Sequence, residues 1–190
     1  YDHMTYDDHH FIPASSIDQN LTMISFSGLS KVYRACGYRV GWLSFTGDIS
    51  KASGLINAID LLAALRLCSN VPGQWAVQTA LGGYQSIGDL VIPGGRLFES
   101  RRAIIDTVME SANLSLVSPA GAMYAFIEVK KDNFDDYKFA LALLNEEHIL
   151  VVPGRSFNYS ESNAFRITML PEPNILKSCI QRIDNLISTF

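Results

Sequence analysis

Cysteine is scarce in this chain of 190 residues: Cys36, Cys68 and Cys179 are widely spaced and odd in number. Neither a disulfide framework nor a C-x-x-C metal or redox pair can be built from them. A basic surplus is also lacking, with 15 Lys plus Arg against 19 Asp plus Glu and a net charge of -4. The counterion release that dominates nucleic-acid affinity has little to act on, which argues against a DNA- or RNA-binding role. Tyr1-Asp2-His3-Met4 offers neither the basic nor the apolar region of a secretory signal. No run is apolar for long enough to span a bilayer, because Arg66, Ser69, Asn70 and Gln74 interrupt the best one. The N-x-[ST] matches at Asn20, Asn113 and Asn158 then read as chance. The expectation is a soluble cytoplasmic protein with no nucleic-acid or membrane partner.

Several common motifs are missing too. G-x-x-x-x-G-K-[ST], G-x-G-x-x-G, G-x-S-x-G and S-x-x-K do not occur, which removes the usual nucleotide, hydrolase and β-lactamase readings. His9 and His10 are adjacent, so they cannot both face one metal from a helix, and with Asp7 and Asp8 they read as a solvated acidic loop. What the chain does have is apolar mass. Hydrophobic residues make up 48% and charged residues 18%, enough to bury a sizeable core.

The first twenty residues are polar and irregular, like a loop that begins partway through something larger. Leu21 to Phe26 reads as a buried strand, and Arg39 to Phe45 as a second. Ile56, Ile59, Leu62 and Ala63 recur at helical spacing within 49–67, Pro72-Gly73 breaks the pattern, and a second helix is expected over 74–85. Pro93-Gly94-Gly95 is the strongest internal punctuation and places a domain boundary at 93/94. Beyond it, Leu97, Ile104, Ile105, Val108 and Met109 mark one face of an amphipathic helix. Strands are expected over 114–117, 122–129, 149–152 and 165–169, with a helix over 137–146. A last helix follows Pro171 and Pro173, with Ile175, Cys179, Ile180, Ile183, Leu186 and Ile187 on one stripe. Alternating helices and strands give an α/β or α+β layer.

Chemistry concentrates in Ser27-Gly28-Leu29-Ser30-Lys31 and, eight residues on, Arg39-Val40-Gly41-Trp42. A lysine just past a buried strand is unusual, because an ammonium is costly to desolvate unless it is paired or used. A part-buried lysine is a nucleophile for a carbonyl and a ready Schiff-base former. Ser27 and Ser30 add hydroxyls, and Arg39 a planar fork for a phosphate. The group could hold a phosphorylated aldehyde. The plainer reading makes Lys31 and Arg39 rim residues of an ordinary loop.

Gly28-Leu29-Ser30-Lys31 through Gly37-Tyr38-Arg39-Val40-Gly41 resembles the pyridoxal-phosphate attachment motif of class I aminotransferases. The resemblance continues through Arg66-Leu67-Cys68-Ser69-Asn70-Val71-Pro72, Gln78-Thr79-Ala80-Leu81-Gly82-Gly83-Tyr84 and Pro93-Gly94-Gly95-Arg96-Leu97. It then takes in Pro119-Ala120-Gly121-Ala122-Met123-Tyr124, Val152-Pro153-Gly154-Arg155-Ser156-Phe157-Asn158 and Phe165-Arg166-Ile167-Thr168. Several ordered blocks are far more specific than one motif, and the middle blocks resemble the alanine aminotransferase branch. Arg34 stands where the general pattern prefers a small residue but that branch carries Arg. Ala164 stands where the branch usually has His.

The resemblance implies an α/β architecture, the C-terminal half of a fold-type I pyridoxal-phosphate-dependent transferase. Residues 1–93 would close the large cofactor domain and 94–190 would form the small domain. It further implies Lys31 as the Schiff-base lysine and proton carrier, with Arg39, Ser30 and Ser27 on the cofactor phosphate. Tyr1 would bond the cofactor's phenolic oxygen, and Arg166 the substrate α-carboxylate. Asn70 sits on a loop that in the family approaches a neighbouring subunit's site; the alternative for it is a plain helix cap. Tyr124 reads as core packing. The implied activity is amino transfer between alanine and 2-oxoglutarate by a homodimer. The alternatives are a C–S lyase, another amino-acid transaminase, or a ligand-sensing module of a regulator. Family members are considerably longer upstream, where they supply the aspartate facing the cofactor's ring nitrogen. This chain alone is therefore expected to be inactive or nearly so.

Overall fold

A computed structural model describes residues 1–190. The chain forms two compact units, one of Tyr1–Thr5 with His10–Gly88 and one of Tyr6–His9 with Asp89–Phe190. The division falls at Gly88/Asp89 rather than at the expected 93/94. Pro93-Gly94-Gly95 instead forms the approach to a helix within the second unit, where Glu99 accepts a hydrogen bond from the Gly94 amide (3.0 Å). No helix is long and apolar enough to cross a membrane.

The first unit is built on an antiparallel hairpin of β1 (Met23–Gly28) and β2 (Gly41–Thr46), with Ser27 opposite Trp42 and Gly28 opposite Gly41. Leu21, expected in β1, lies outside the ladder. Its partner chain turns away at Gly47, whose φ of +78° and packing against the Leu21 carbonyl admit no side chain. β2 begins after Arg39, not at it, because Arg39 closes a short 3-10 turn (Cys36–Tyr38) in the left-handed region at φ 53°. At Gly41 a Cβ would come within 2.9 Å of the Ser27 carbonyl, so the two strands can approach only over glycine.

Next come a 3-10 turn (Ile49–Ala52), α1 (Ser53–Arg66) and α2 (Val71–Gly82). α2 starts before the expected 74. Asn70 caps it by accepting from the Gly73 amide (3.1 Å), and Pro72 sits in the first turn, where its missing N–H costs nothing. The proline read as a breaker is a helix starter. Apolar residues here do not form a core: α1 buries no side chain, and Leu65 and Trp75 are 75% and 72% exposed.

The second unit carries a four-stranded antiparallel sheet in the order β3-β4-β6-β5: β3 (Leu114–Leu116), β4 (Tyr124–Val129), β5 (Val152–Pro153) and β6 (Ala164–Thr168). A short helix, α3 (Gly88–Val91), leads to α4 (Arg96–Glu110); α5 (Asp136–Glu147) and α6 (Pro173–Thr189) complete it. α4 packs on α6 and β3, and α5 on β5 and β6. β4 alternates cleanly: Ala125, Ile127 and Val129 are wholly buried, while Tyr124, Phe126 and Glu128 point to the half-open face. Leu176, Ile180, Ile183 and Ile187 of α6 meet Ile104 and Val108 of α4 in the core. Each such fully buried side chain is worth about 1.5–3 kcal/mol of transfer free energy. Of the two layer types left open by the sequence, this unit takes the antiparallel one.

Candidate active site

Lys31 and Arg39 share one loop, which main-chain bonds fold upon itself. The Leu29 amide donates to the Val40 carbonyl (3.1 Å), Ala35 to Leu29 (2.9 Å) and Arg34 to Lys31 (3.0 Å). Leu29 and Val32 are buried and anchor the loop, so the residues between them are held in place. Lys31, Ser27 and Tyr1 line a single cavity of about 630 Å³ together with Asp2 and Phe26. Ser30 is half-buried on the same loop.

Two expectations need correction. Lys31 is exposed, not part-buried, because β1 has β2 as its sole strand neighbour and its far side carries no further strand. Arg39 opens on a different cavity of about 540 Å³, lined also by Arg66, Ser69, Asn70 and Gln74. Its guanidinium donates to the Cys36 carbonyl of its own turn (2.9 Å). Asn70 joins Arg39 there. Its amide nitrogen donates to the Tyr38 carbonyl (2.7 Å) while its oxygen caps α2, so the side chain ties the Arg39 turn to that helix.

Arg166 lies on β6 of the second unit, directly opposite Phe126 of β4 and Val152 of β5. Its guanidinium is stacked between two rings, 4.4 Å from the centroid of Tyr124 and 4.5 Å from that of Phe157. Phe126 is edge-on to both Phe157 and Tyr159, and the Tyr159 hydroxyl donates to Glu128 (2.9 Å). That hydrogen bond to a carboxylate raises the Tyr159 pKa. The Arg166 Nε is buried and has no hydrogen-bond partner. A charged donor held out of water without an acceptor is costly, and a carboxylate in the guanidinium plane would satisfy it.

Tyr124 is thus not core packing but one wall of the Arg166 slot. Phe157 is the other, and sequence reasoning missed it. For Tyr124 the signal was available in the alternation Tyr124-x-Phe126-x-Glu128, which puts these side chains on the face shared with Arg166. Ala164 is wholly buried beneath Gly154, whose backbone comes so near that a Cβ there would be 3.1 Å from the Ala164 methyl. Asp7 bonds Arg101 (2.8 Å).

The chain matches the family model described as aminotransferase class I and II over residues 1–183. It belongs to that family. It is 44% identical to a glutamate-pyruvate aminotransferase of Haemophilus influenzae, covering all of this chain and 48% of that protein. Among solved structures, an aminotransferase from Escherichia coli superposes with a TM-score of 0.95 at 38% identity. An alanine aminotransferase from Pyrococcus furiosus does so at 0.90 and 33%. Each covers the whole of this chain, which covers 48% of each. The chain therefore spans about half the length of these relatives, and its fold is the corresponding part of a fold-type I transferase.

The family's pyridoxal phosphate places definite demands on a site, and the residues present fit them. An amine and hydroxyls, those of Lys31, Ser27 and Tyr1, line one cavity. The Arg39 guanidinium leaves the same loop but opens on the neighbouring cavity.

Proposed function

We propose that the full-length protein is an alanine transaminase, exchanging the amino group of alanine with 2-oxoglutarate to give pyruvate and glutamate. The observation that carries this reading is the Arg166 guanidinium, fixed between two rings with a buried Nε that lacks an acceptor. Such a planar fork takes an α-carboxylate in its own plane and so fixes the orientation of the substrate Cα. The named activities of the relatives support alanine as the amino donor.

When bound, pyridoxal phosphate supplies an aldehyde for the amine and a ring that accepts electron density from Cα. Lys31 would hold that group through its amine, and the same amine would be the base that takes and returns the substrate Cα proton. Ser30 and Ser27 would hold the phosphate, and Arg39 would join them after leaving its hydrogen bond to the Cys36 carbonyl. The Tyr1 hydroxyl, on the same cavity, would bond the group's phenolic oxygen. Asn70 keeps the capping role that the geometry gives it, tying α2 to the Arg39 turn.

The working form in this reading is a cytoplasmic homodimer. The wide apolar surface of the first unit, with Leu61, Leu62, Leu65, Trp75 and Tyr84 all more than half exposed, supports burial by further protein. The exposure of Lys31 has the same meaning, and the chain alone is inactive or nearly so. Purified full-length protein with added cofactor should form pyruvate from alanine only when 2-oxoglutarate is present. Release of ammonia and pyruvate from a β-thioether amino acid such as S-methylcysteine, with no 2-oxoglutarate added, would point to a C–S lyase instead. Steady turnover by the 190-residue chain alone would remove the inactivity claim.

A further inference from the structure

Asp136 is the chain's only buried carboxylate, 1% exposed. An ionised carboxylate in such a place is tolerated only when its oxygens are well paired. Helix capping does not require it, because Asp135 already caps α5 by accepting from the Tyr137 and Lys138 amides (3.1 Å each). Both Asp136 oxygens go instead to Arg155: Oδ2 accepts from its backbone amide (2.8 Å) and Oδ1 from its Nε. Asp135 takes the Arg155 Nη2 (2.7 Å).

Arg155 belongs to a 3-10 turn, Gly154–Phe157, that ends at Asn158 in the left-handed region (φ 58°). The start of that turn is pressed on β6, where a Cβ at Gly154 would come within 3.0 Å of the Ala164 carbonyl. So the turn is fastened by Asp136 on one side and by Ala164 on the other. Phe157, two residues past the Arg155 anchor, is the ring that stands 4.5 Å from the Arg166 guanidinium. It is 43% exposed, so its own packing does little to hold it in position.

We propose that Asp136 is a positioning residue for Arg166, acting through Arg155 and the turn that holds Phe157 against the guanidinium. This rests on Arg166 being the carboxylate-binding group. With the anchor cut, the Phe157 ring swings away and the guanidinium plane is no longer held for in-plane recognition. The substrate carboxylate is held in ground and transition states alike, so the loss falls mainly on KM, with a smaller fall in kcat from looser Cα orientation.

The test uses the full-length, cofactor-loaded enzyme with Asp136→Asn, Arg155→Gln, Phe157→Leu, Phe157→Tyr and Arg166→Lys. Asp136→Asn, Arg155→Gln and Phe157→Leu should each raise KM for the amino acid by about tenfold, within the span typical of residues acting through a packed network. The cofactor absorption should stay at the wild-type value, and kcat should fall by less than KM rises. The Kd for propionate, a carboxylate with no amine to react, should rise by the same factor in calorimetry. Phe157→Tyr should restore both, and the double variant R155Q/F157L should be no worse than either single one. Unchanged KM in Asp136→Asn and Arg155→Gln, alongside a raised KM in Arg166→Lys, overturns the proposal. A joint fall of kcat, melting temperature and cofactor content overturns it too, since that marks a merely structural acid. Unchanged propionate binding in Arg166→Lys overturns the carboxylate reading itself and the proposal with it. If Asp136→Asn does not fold, the half-exposed Arg155 and its double variant with Phe157 decide: additive effects contradict the coupling.

Discussion

The guanidinium of Arg166 lies 4.4 Å over the ring of Tyr124, a contact made possible because strand alternation puts both side chains on the same face of the β4–β6 pair. Stacking on a ring needs a flat cation. Lysine has the charge but neither the plane nor the fork. Arg166→Lys in the full-length enzyme should therefore lower kcat/KM for alanine by roughly a hundredfold, as expected for loss of bidentate positioning. Cofactor absorption should be retained. Steady-state kinetics beside a spectrum checks both, and an unchanged kcat/KM would remove Arg166 from the site.

A second expectation concerns alkaline pH. Tyr6 is wholly buried, donates to the Ala122 carbonyl (2.7 Å) and lies under the Arg101 guanidinium at 4.9 Å. Burial pushes its pKa up from 10.0 to about 12, with Arg101 opposing. The folded state holds this proton more tightly than the unfolded one. Its contribution is therefore complete below pH 10.0 and is lost as pH rises toward about 12. Wild type should lose stability over that window more steeply than Tyr6→Phe in denaturant titrations. Parallel curves would show that Tyr6 does not titrate late.

Hydrogen exchange on the 190-residue chain should separate its two units. α1 buries no side chain and α2 only Gly73, whereas α4 and α6 interlock through Ile104, Val108, Ile180 and Ile183. Protection follows such burial. Amides of 53–82 should exchange rapidly and those of α4, α6 and β4 slowly. Equal protection in both regions would contradict the exposure of the first unit.

Much of this was legible in the residues because local physics decided it. Alternation in 124–129 and the stripe of Leu176, Ile180, Ile183 and Ile187 each have one physical solution, and the structure takes it. The start of α2 was misplaced because Pro72 was read as a breaker, although the cap considered for Asn70 is the one that starts the helix just before it. The exposure of Lys31 could not be read locally, since burial depends on what lies across β1 and not on the run Leu21–Phe26 itself. Phe157 was missed for a related reason: its contact with Arg166 is made through a turn anchored by Asp136, nineteen residues before Arg155.

The central claim concerns the amine of Lys31. Full-length protein incubated with pyridoxal phosphate, reduced with borohydride and digested should yield one pyridoxyl-modified peptide, carrying the label on Lys31. Lys31→Ala should yield none. Label on another lysine such as Lys51, or none on the wild-type protein, would contradict the account.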